Sequence, residues 1–474
     1  MPGTQSSYDV IVVGLGAAGA SAAIEARAAG ADVLVLERAS AGGGSTVYAA
    51  GHIYLGGGTR VQKLNGFDDT PEEMFKFLMA SMPVPDPEKA RVYADDSPAH
   101  FDWIERQGII FNNGFYAEKH FEHDTEEGLA WTGNEKAWPF STAARPAARG
   151  HKVTLPGGVT KSGEGGSHLV NTLIDRARAA GVRLEYDARV LELLTENGRV
   201  VGVRYKQFGK ESVATCRRGA IVATGGFGAN KAMVKKLCPE LDSEAIYILG
   251  APYADGSGIE LGLSAGAATG YIGAFATAPL YPPANLLKGI LVNKFGQRFI
   301  NEDTYHSRSC TACLRQPEGV AYLICDNAVF ARPEFGGQPL VDAWEDVAAM
   351  EAALKMPAGA LQKTMADYNA HAATGNDPAF HKIKEYLQPL MEAPYAALDC
   401  SLGKAAYTGF TLGGLKTTKD GEVLGMSGRP IAGLYAAGAC ASNIAQDSMG
   451  YASGTCIGES TYFGRRAGRR AATH

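Results

Sequence analysis

The segment between residues 9 and 37 restricts the possible folds more than any other part of the chain. DVIVV at residues 9–13 is an apolar, β-branched run of strand length, followed by Gly14, Gly16 and Gly19 in GxGxxG spacing and an alanine-rich stretch reaching Ala29. Gly30 closes that predicted helix, DVLVL at residues 32–36 makes a second strand, and Glu37 ends it. Strand, glycine turn, helix and strand in this order, with an acid at the far end, predict a Rossmann-type dinucleotide unit. Gly14 permits the tight turn, Gly16 lets backbone approach a pyrophosphate, and Gly19 lets helix and strand pack closely. The pyrophosphate is then expected on the free N–H groups at the positive end of the helix. Glu37 is expected to accept from the ribose hydroxyls, where an arginine would suit a 2′-phosphate.

Length and charge narrow the class further. A chain of 474 residues, 46% of them hydrophobic, has enough material for about two or three domains around large cores. The formal net charge of -5, with no long run of one sign, argues against a nucleic-acid partner and a polybasic membrane anchor. The polar start carries no signal-peptide pattern and no window is apolar for long enough to span a bilayer, so a cytoplasmic location is expected. Eight scattered cysteines read as reduced thiols. Cys310 and Cys313 alone have CxxC spacing, and without a second ligand pair they read as packing.

There are 59 glycines, well above the roughly 7% usual for proteins, and they fall in islands after apolar runs. Residues 42–44 and 56–58 are two such islands, which a simple nicotinamide unit does not need. Further along, residues 190–194 and 200–205 flank the turn TENG and predict a hairpin. It leads into GAIVATGGF at residues 219–227, and GLYAAGACAS at residues 433–442 repeats the theme of strand followed by glycine loop.

These separated matches, in this order, resemble the flavoprotein family of fumarate reductases and 3-ketosteroid dehydrogenases over essentially the whole chain. The resemblance implies noncovalently held FAD and an α/β fold. A Rossmann-type, glutathione-reductase-like FAD-binding domain, residues 1–270 and 395–474, is expected to be interrupted by an α+β capping and catalytic domain, residues 271–394. It also implies cofactor contacts from Gly14, Gly16, Ala18, Gly19, Glu37 and Arg38 in the first motif and from Gly44 and Ser45 in the island that follows. Val190, Thr224, Gly225, Gly438, Ser453 and Thr455 complete that set, and no metal is expected.

Two places bear on the branch of the family. After Asn301 and Glu302 the fumarate and urocanate reductases carry a proton-donating arginine, whereas this chain reads DTYHSR, with Tyr305 as in the ketosteroid dehydrogenases. Phe410 stands where the reductases supply a carboxylate-binding histidine, although His306 and Arg308 keep a reductase of a small unsaturated acid as an alternative. The segment GYASGT at residues 450–455 resembles the 3-oxo-5α-steroid 4-dehydrogenases, and Ala452 replaces the proline of the 1-dehydrogenases, which remain a second alternative. That resemblance implies Tyr305, Tyr451 and Ser453 as catalytic residues. Tyr451 and a backbone amide after Ser453 would polarise the ketone, Tyr305 would be the base, and Ser453 or His306 a relay. A phenol of pKa about 10 is ionised only about once in a thousand at pH 7, so either its pKa is depressed or a relay takes the proton.

The expected partners are an apolar, steroid-like substrate and an external electron acceptor. A nonenzymatic flavoprotein that only binds or senses redox state is the third class left open. Trp103, Trp131 and Trp138 either line a substrate entrance or pack; His100, His120 and His123 read as structural; and Arg465, Arg466, Arg469 and Arg470 read as a solvated helix end.

Overall fold

The computed structural model describes residues 5–119, 123, 125–157, 163–278, 283–333 and 337–474. Strand β1 (Gln5–Val13), helix α1 (Ala17–Ala28) and strand β2 (Val33–Leu36) form where the opening motif predicts them. Val10, Ile11, Val12 and Val35 are fully buried, as expected of a strand covered on both faces of a parallel sheet. β1 runs parallel to β2 with Val10 opposite Val33, and β2 runs parallel to Arg183–Glu185. On its other side β1 runs parallel to Lys210–Val222, which pairs in parallel with Pro430–Ala436. Sequence from both parts of the chain thus meets in one sheet, as the three glycine motifs require.

The predicted hairpin is present as Ala188–Glu196 and Arg199–Gln207, antiparallel to each other. The long strand Lys210–Val222 continues this meander through Thr215 and pairs in parallel with β1 from Val213 onward. A separate sheet built from His52–Tyr54, Gly150–Lys152, Leu129–Ala130 and Phe115–Tyr116 stands beside it, and nothing in the sequence pattern announces those short strands. Farther along, Ile290–Asn293, Ala321–Cys325, Tyr395–Asp399 and Leu340–Trp344 make a four-stranded sheet. Its third strand lies beyond the expected division at residue 394, because Leu323 pairs with Leu398.

The last helix, Thr455–Thr473, lies against α1. Gly464 and Gly468 face it so closely that an added Cβ would come within 2.4 Å of the Ala18 carbonyl oxygen and 2.1 Å of the Ala22 carbonyl oxygen. The arginines of this helix are not a solvated end. Arg465 contacts Glu25 at 3.5 Å and His100 at 2.9 Å, Arg466 bonds Asp420 at 2.6 Å and Asp96 at 3.2 Å, and Arg470 pairs with Glu422 at 3.0 Å. Their acidic partners lie on other elements, so no local charge pattern reveals them. Arg469 has no ion-pair partner among the described residues and remains exposed.

Candidate active site

β1 delivers the chain to Gly14, whose φ of 101° suits glycine and whose Cβ, if added, would lie 2.5 Å from the Ala223 carbonyl oxygen. Gly16 then begins α1 without a side-chain cap, so the first N–H groups of the helix remain available to an anion. Gly19 serves packing, since its Cβ would lie 2.0 Å from the Gly14 carbonyl oxygen. Glu37 is fixed by two amides, Leu15 N–H donating to Oε2 at 2.7 Å and Ala39 N–H to Oε1 at 2.8 Å. Burial pushes its pKa up, and those amides pull against the shift. Arg38 pairs with Asp255 at 2.5 Å and lies over the Tyr253 ring at 4.7 Å.

A cavity of about 720 Å³ is lined by this turn, Glu37, Arg38, Ser45, Val190, Thr224 and Gly438, and also by Tyr305, Phe410, Tyr451 and Ser453. Ala18, Gly44 and Gly225 belong to the same wall. An added Cβ would meet only Gly43 O at 3.7 Å from Gly16, Gly16 Cα at 3.6 Å from Gly44, and Ala254 Cβ at 3.7 Å from Gly225. Such side chains would grow into the cavity, so the glycines keep backbone bare for a ligand laid along it. An uncapped helix, a carboxylate beyond the second strand and this cradle fit FAD. Of the residues expected at the cofactor, Gly19 and Thr455 do not line the cavity. Thr455 turns its hydroxyl back to the Ala452 carbonyl at 2.8 Å, closing the start of its helix. Its neighbours Gly454, Cys456 and Ile457, and Ser460 farther along the helix, line the wall instead.

The other side of the cavity is built on Tyr305. Glu302 accepts from Leu291 N–H at 3.0 Å and pairs with Arg298 at 2.9 Å and Lys382 at 3.2 Å. Asp303 accepts from Ile383 N–H at 2.9 Å, and Asn134 Oδ1 accepts from Thr304 Oγ1 at 2.5 Å and from Tyr305 N–H at 2.7 Å. Consecutive anchors therefore fix the backbone that presents the phenol. Its hydroxyl lies beside Ser453, whose backbone is held by Thr132 through N–H···O at 2.8 Å and Oγ1–H···O at 3.0 Å. Tyr451 stands 6.3 Å from Tyr305 between ring centres and 5.4 Å from Phe410, edge to face. Burial raises the Tyr305 phenol well above its ordinary value, with Ser453 opposing, so the environment does not create a standing tyrosinate. His306 packs 3.8 Å from the Tyr305 ring centre and is held neutral by burial.

Arg308 does not line the cavity. It donates to the Trp138 carbonyl at 2.9 Å and to Thr304 Oγ1 at 3.2 Å. The tryptophans do not line it either: Trp103 stacks with His100 beneath Arg465, Trp131 meets Phe67 and Phe115 edge to face, and Trp138 packs on His381. No group of acids, histidines and cysteines among the described residues has the geometry to hold a metal ion. His120 lies outside the described residues. Cys310 and Cys313 are buried on the helix His306–Leu314, as the packing reading expects.

A family model described as FAD binding domain matches residues 9–454. The chain belongs to this FAD-binding family. Among curated relatives it is 29% identical over 480 residues to the NADH:fumarate oxidoreductase of Klebsiella pneumoniae, covering 98% of this chain and 48% of that protein. The chain thus spans about half of that relative's length. It is 29% identical over 497 residues to the 3-oxo-5-alpha-steroid 4-dehydrogenase of Comamonas testosteroni, covering 91% of this chain and 92% of that protein. A solved 3-ketosteroid-delta4-(5alpha)-dehydrogenase from Rhodococcus jostii RHA1, in complex with 4-androstene-3,17-dione, superposes with a TM-score of 0.93 at 43% identity, covering 99% and 97% of the two chains. The protein is an FAD-dependent oxidoreductase of the fumarate reductase and steroid dehydrogenase family. No helix among the described residues is long and apolar enough to cross a membrane.

One buried group on the cavity wall gives this flavoenzyme a pH-dependent stability. Burial, with Lys152, His123 and His151 nearby, holds His52 down to about 3. Below pH 6.5 the unfolded chain takes up a proton here that the folded chain refuses, so stability falls with pH by about 1.4 kcal/mol per unit until the folded value is reached. His52→Asn removes that loss. The melting temperature of the parent is expected to drop relative to the variant between pH 7 and pH 5, and parallel curves would contradict the assignment.

Proposed function

We propose that this flavoenzyme desaturates a saturated 3-ketosteroid next to its ketone, as a 3-oxo-5α-steroid 4-dehydrogenase does. The observation that carries this reading is the character of the cavity around Tyr305. Tyr305, Phe410, Tyr451 and Ser453 line it, and Arg308 is turned to the Trp138 carbonyl. Arg38 and Arg189 are the arginines among the described lining residues, and they belong with the nucleotide motifs. An apolar ketone suits such a wall, while a dicarboxylate would leave its charges unpaired. The similarity to the Rhodococcus jostii enzyme supports the same substrate class.

In this reading residues 1–270 and the chain beyond the Tyr395–Asp399 strand hold the cofactor, and the intervening stretch closes over the substrate. Bound FAD supplies the acceptor for the hydride leaving the β-carbon. Tyr451 and the amide following Ser453 polarise the ketone oxygen as negative charge develops there. Tyr305 takes the α-proton. Because burial disfavours the free phenolate, the hydroxyl must pass a proton on as it receives one, and Ser453 is the neighbouring hydroxyl able to share it. An external acceptor must then reoxidise the flavin for the next turnover.

Anaerobic mixing of the oxidised protein with a saturated 3-ketosteroid is expected to bleach the flavin absorbance. Fumarate added to the chemically reduced protein is expected to leave it reduced. The opposite pair of outcomes would replace the desaturase by a reductase of small acids. Phe410→His places a polar ring against Tyr451 and is expected to weaken steroid binding about tenfold while retaining FAD. A steroid titration of the bound flavin spectrum checks it, and unchanged affinity would remove Phe410 from the substrate wall.

A further inference from the structure

The segment that carries Asn134 does more than anchor Tyr305. Thr132 holds the backbone of Ser453 and Asn134 holds that of Tyr305, so the two hydroxyl-bearing residues are suspended from neighbouring positions of one short stretch. The next residue, Glu135, is 1% exposed, and its carboxylate folds back to accept from Gly133 N–H at 3.0 Å through Oε2. Its other oxygen, Oε1, is buried without a hydrogen-bond partner. A Cβ at Gly133 would lie 3.2 Å from that oxygen and 2.7 Å from Ala452 Cβ, which puts the carboxylate beside the loop of Tyr451 and Ser453.

The surroundings are those of a functional acid. Tyr54, Arg149 and Lys119 face Glu135 from the strand His52–Tyr54, from the approach to Gly150–Lys152 and from the loop ahead of it, and Tyr305 faces it from the cap. Arg149 is itself committed to Asp69 by a fully buried bidentate pair at 2.7 and 3.0 Å, so Glu135 does not have that cation to itself. Burial raises the Glu135 carboxyl above its ordinary value, while Arg149 and Lys119 act in the opposite direction. A structural carboxylate would be expected to spend both oxygens on donors; this one has a single close donor, and its second oxygen faces the buried Tyr54 hydroxyl.

We propose that Glu135 is a positioning residue for the reaction, acting through Tyr305 and Ser453 as the carboxylate to which they pass the substrate's proton. This rests on the desaturase reading. In the step, the α-carbon–hydrogen bond breaks and its electron pair becomes the new carbon–carbon π bond, while hydride leaves the β-carbon with its own pair for bound FAD. The proton moves to the Tyr305–Ser453 pair as that pair delivers one to Glu135, which becomes a neutral carboxylic acid and later releases the proton to water.

The test compares the parent holoenzyme with Glu135→Gln and Glu135→Asp. Steroid-driven reduction of the parent is expected to produce a carboxylic-acid C=O band in the reduced-minus-oxidised infrared difference spectrum, and Glu135→Gln is expected to lack it. In the parent the rate of flavin reduction should fall at acid pH as Glu135 takes up its proton; the variant should reduce its flavin about tenfold more slowly with unchanged steroid affinity, lack that fall, and be partly restored as Glu135→Asp. A Glu135→Gln protein that keeps the band, the rate and the pH profile overturns the inference alone. So does one that slows only because it melts early or sheds FAD. A parent that the steroid fails to reduce overturns the desaturase reading and this inference together.

Discussion

Tyr305→Phe is expected to bind FAD and steroid as the parent does and to transfer electrons from a saturated 3-ketosteroid about 10²–10⁴-fold more slowly. The substitution isolates the hydroxyl. The ring keeps its packing against His306 and Tyr451, and the anchors that place it act on the backbone and on Glu302, Asp303 and Thr304. What disappears is the hydroxyl beside Ser453 and, in the desaturase reading, the route for the α-proton. Stopped-flow bleaching under anaerobic conditions measures the effect directly. A variant within a few-fold of the parent would transfer the base role elsewhere, with Ser453 the next residue to vary.

Gly468→Val is expected to cost about 2–4 kcal/mol of stability and to release FAD. The added Cβ would lie 2.1 Å from the Ala22 carbonyl oxygen and 2.8 Å from Ala22 Cα, so backbone rather than a flexible side chain stands in the way. The last helix must then move off α1. Its arginine pairs to Glu25, Asp96, Asp420 and Glu422 are partly exposed and contribute too little to hold it in place. Both helices begin on the cavity wall, which connects this packing defect to the cofactor. Thermal unfolding followed by the fluorescence of released FAD checks both parts. Parent-like melting would mean that the two helices have room to separate.

The parts of the fold legible in the sequence are those in which neighbouring residues determine one another. The opening strand, turn and helix, the hairpin around Asn197 and the glycine loops at Gly225 and Gly438 are local patterns, and each forms where it was expected. Most of the residues expected at the cofactor line the cavity that these patterns enclose. Thr455 does not reach the cavity, because a helix start can use its hydroxyl either outward or, as here, to close its own backbone. Contacts made across the chain left no such trace. Asn134 and Tyr305, Lys382 and Glu302, or Gly468 and Ala22 are joined by topology alone, and neither partner's immediate neighbours identify the other. The arginines of the last helix illustrate the same limit: their spacing reads as a solvated terminus, whereas acids on separate elements engage three of the four.

The opening helix lies against the closing one, and both present their first turns to the same ligand space. The two first turns come from distant parts of the sequence, so the ligand space is closed only when both helices have folded against one another.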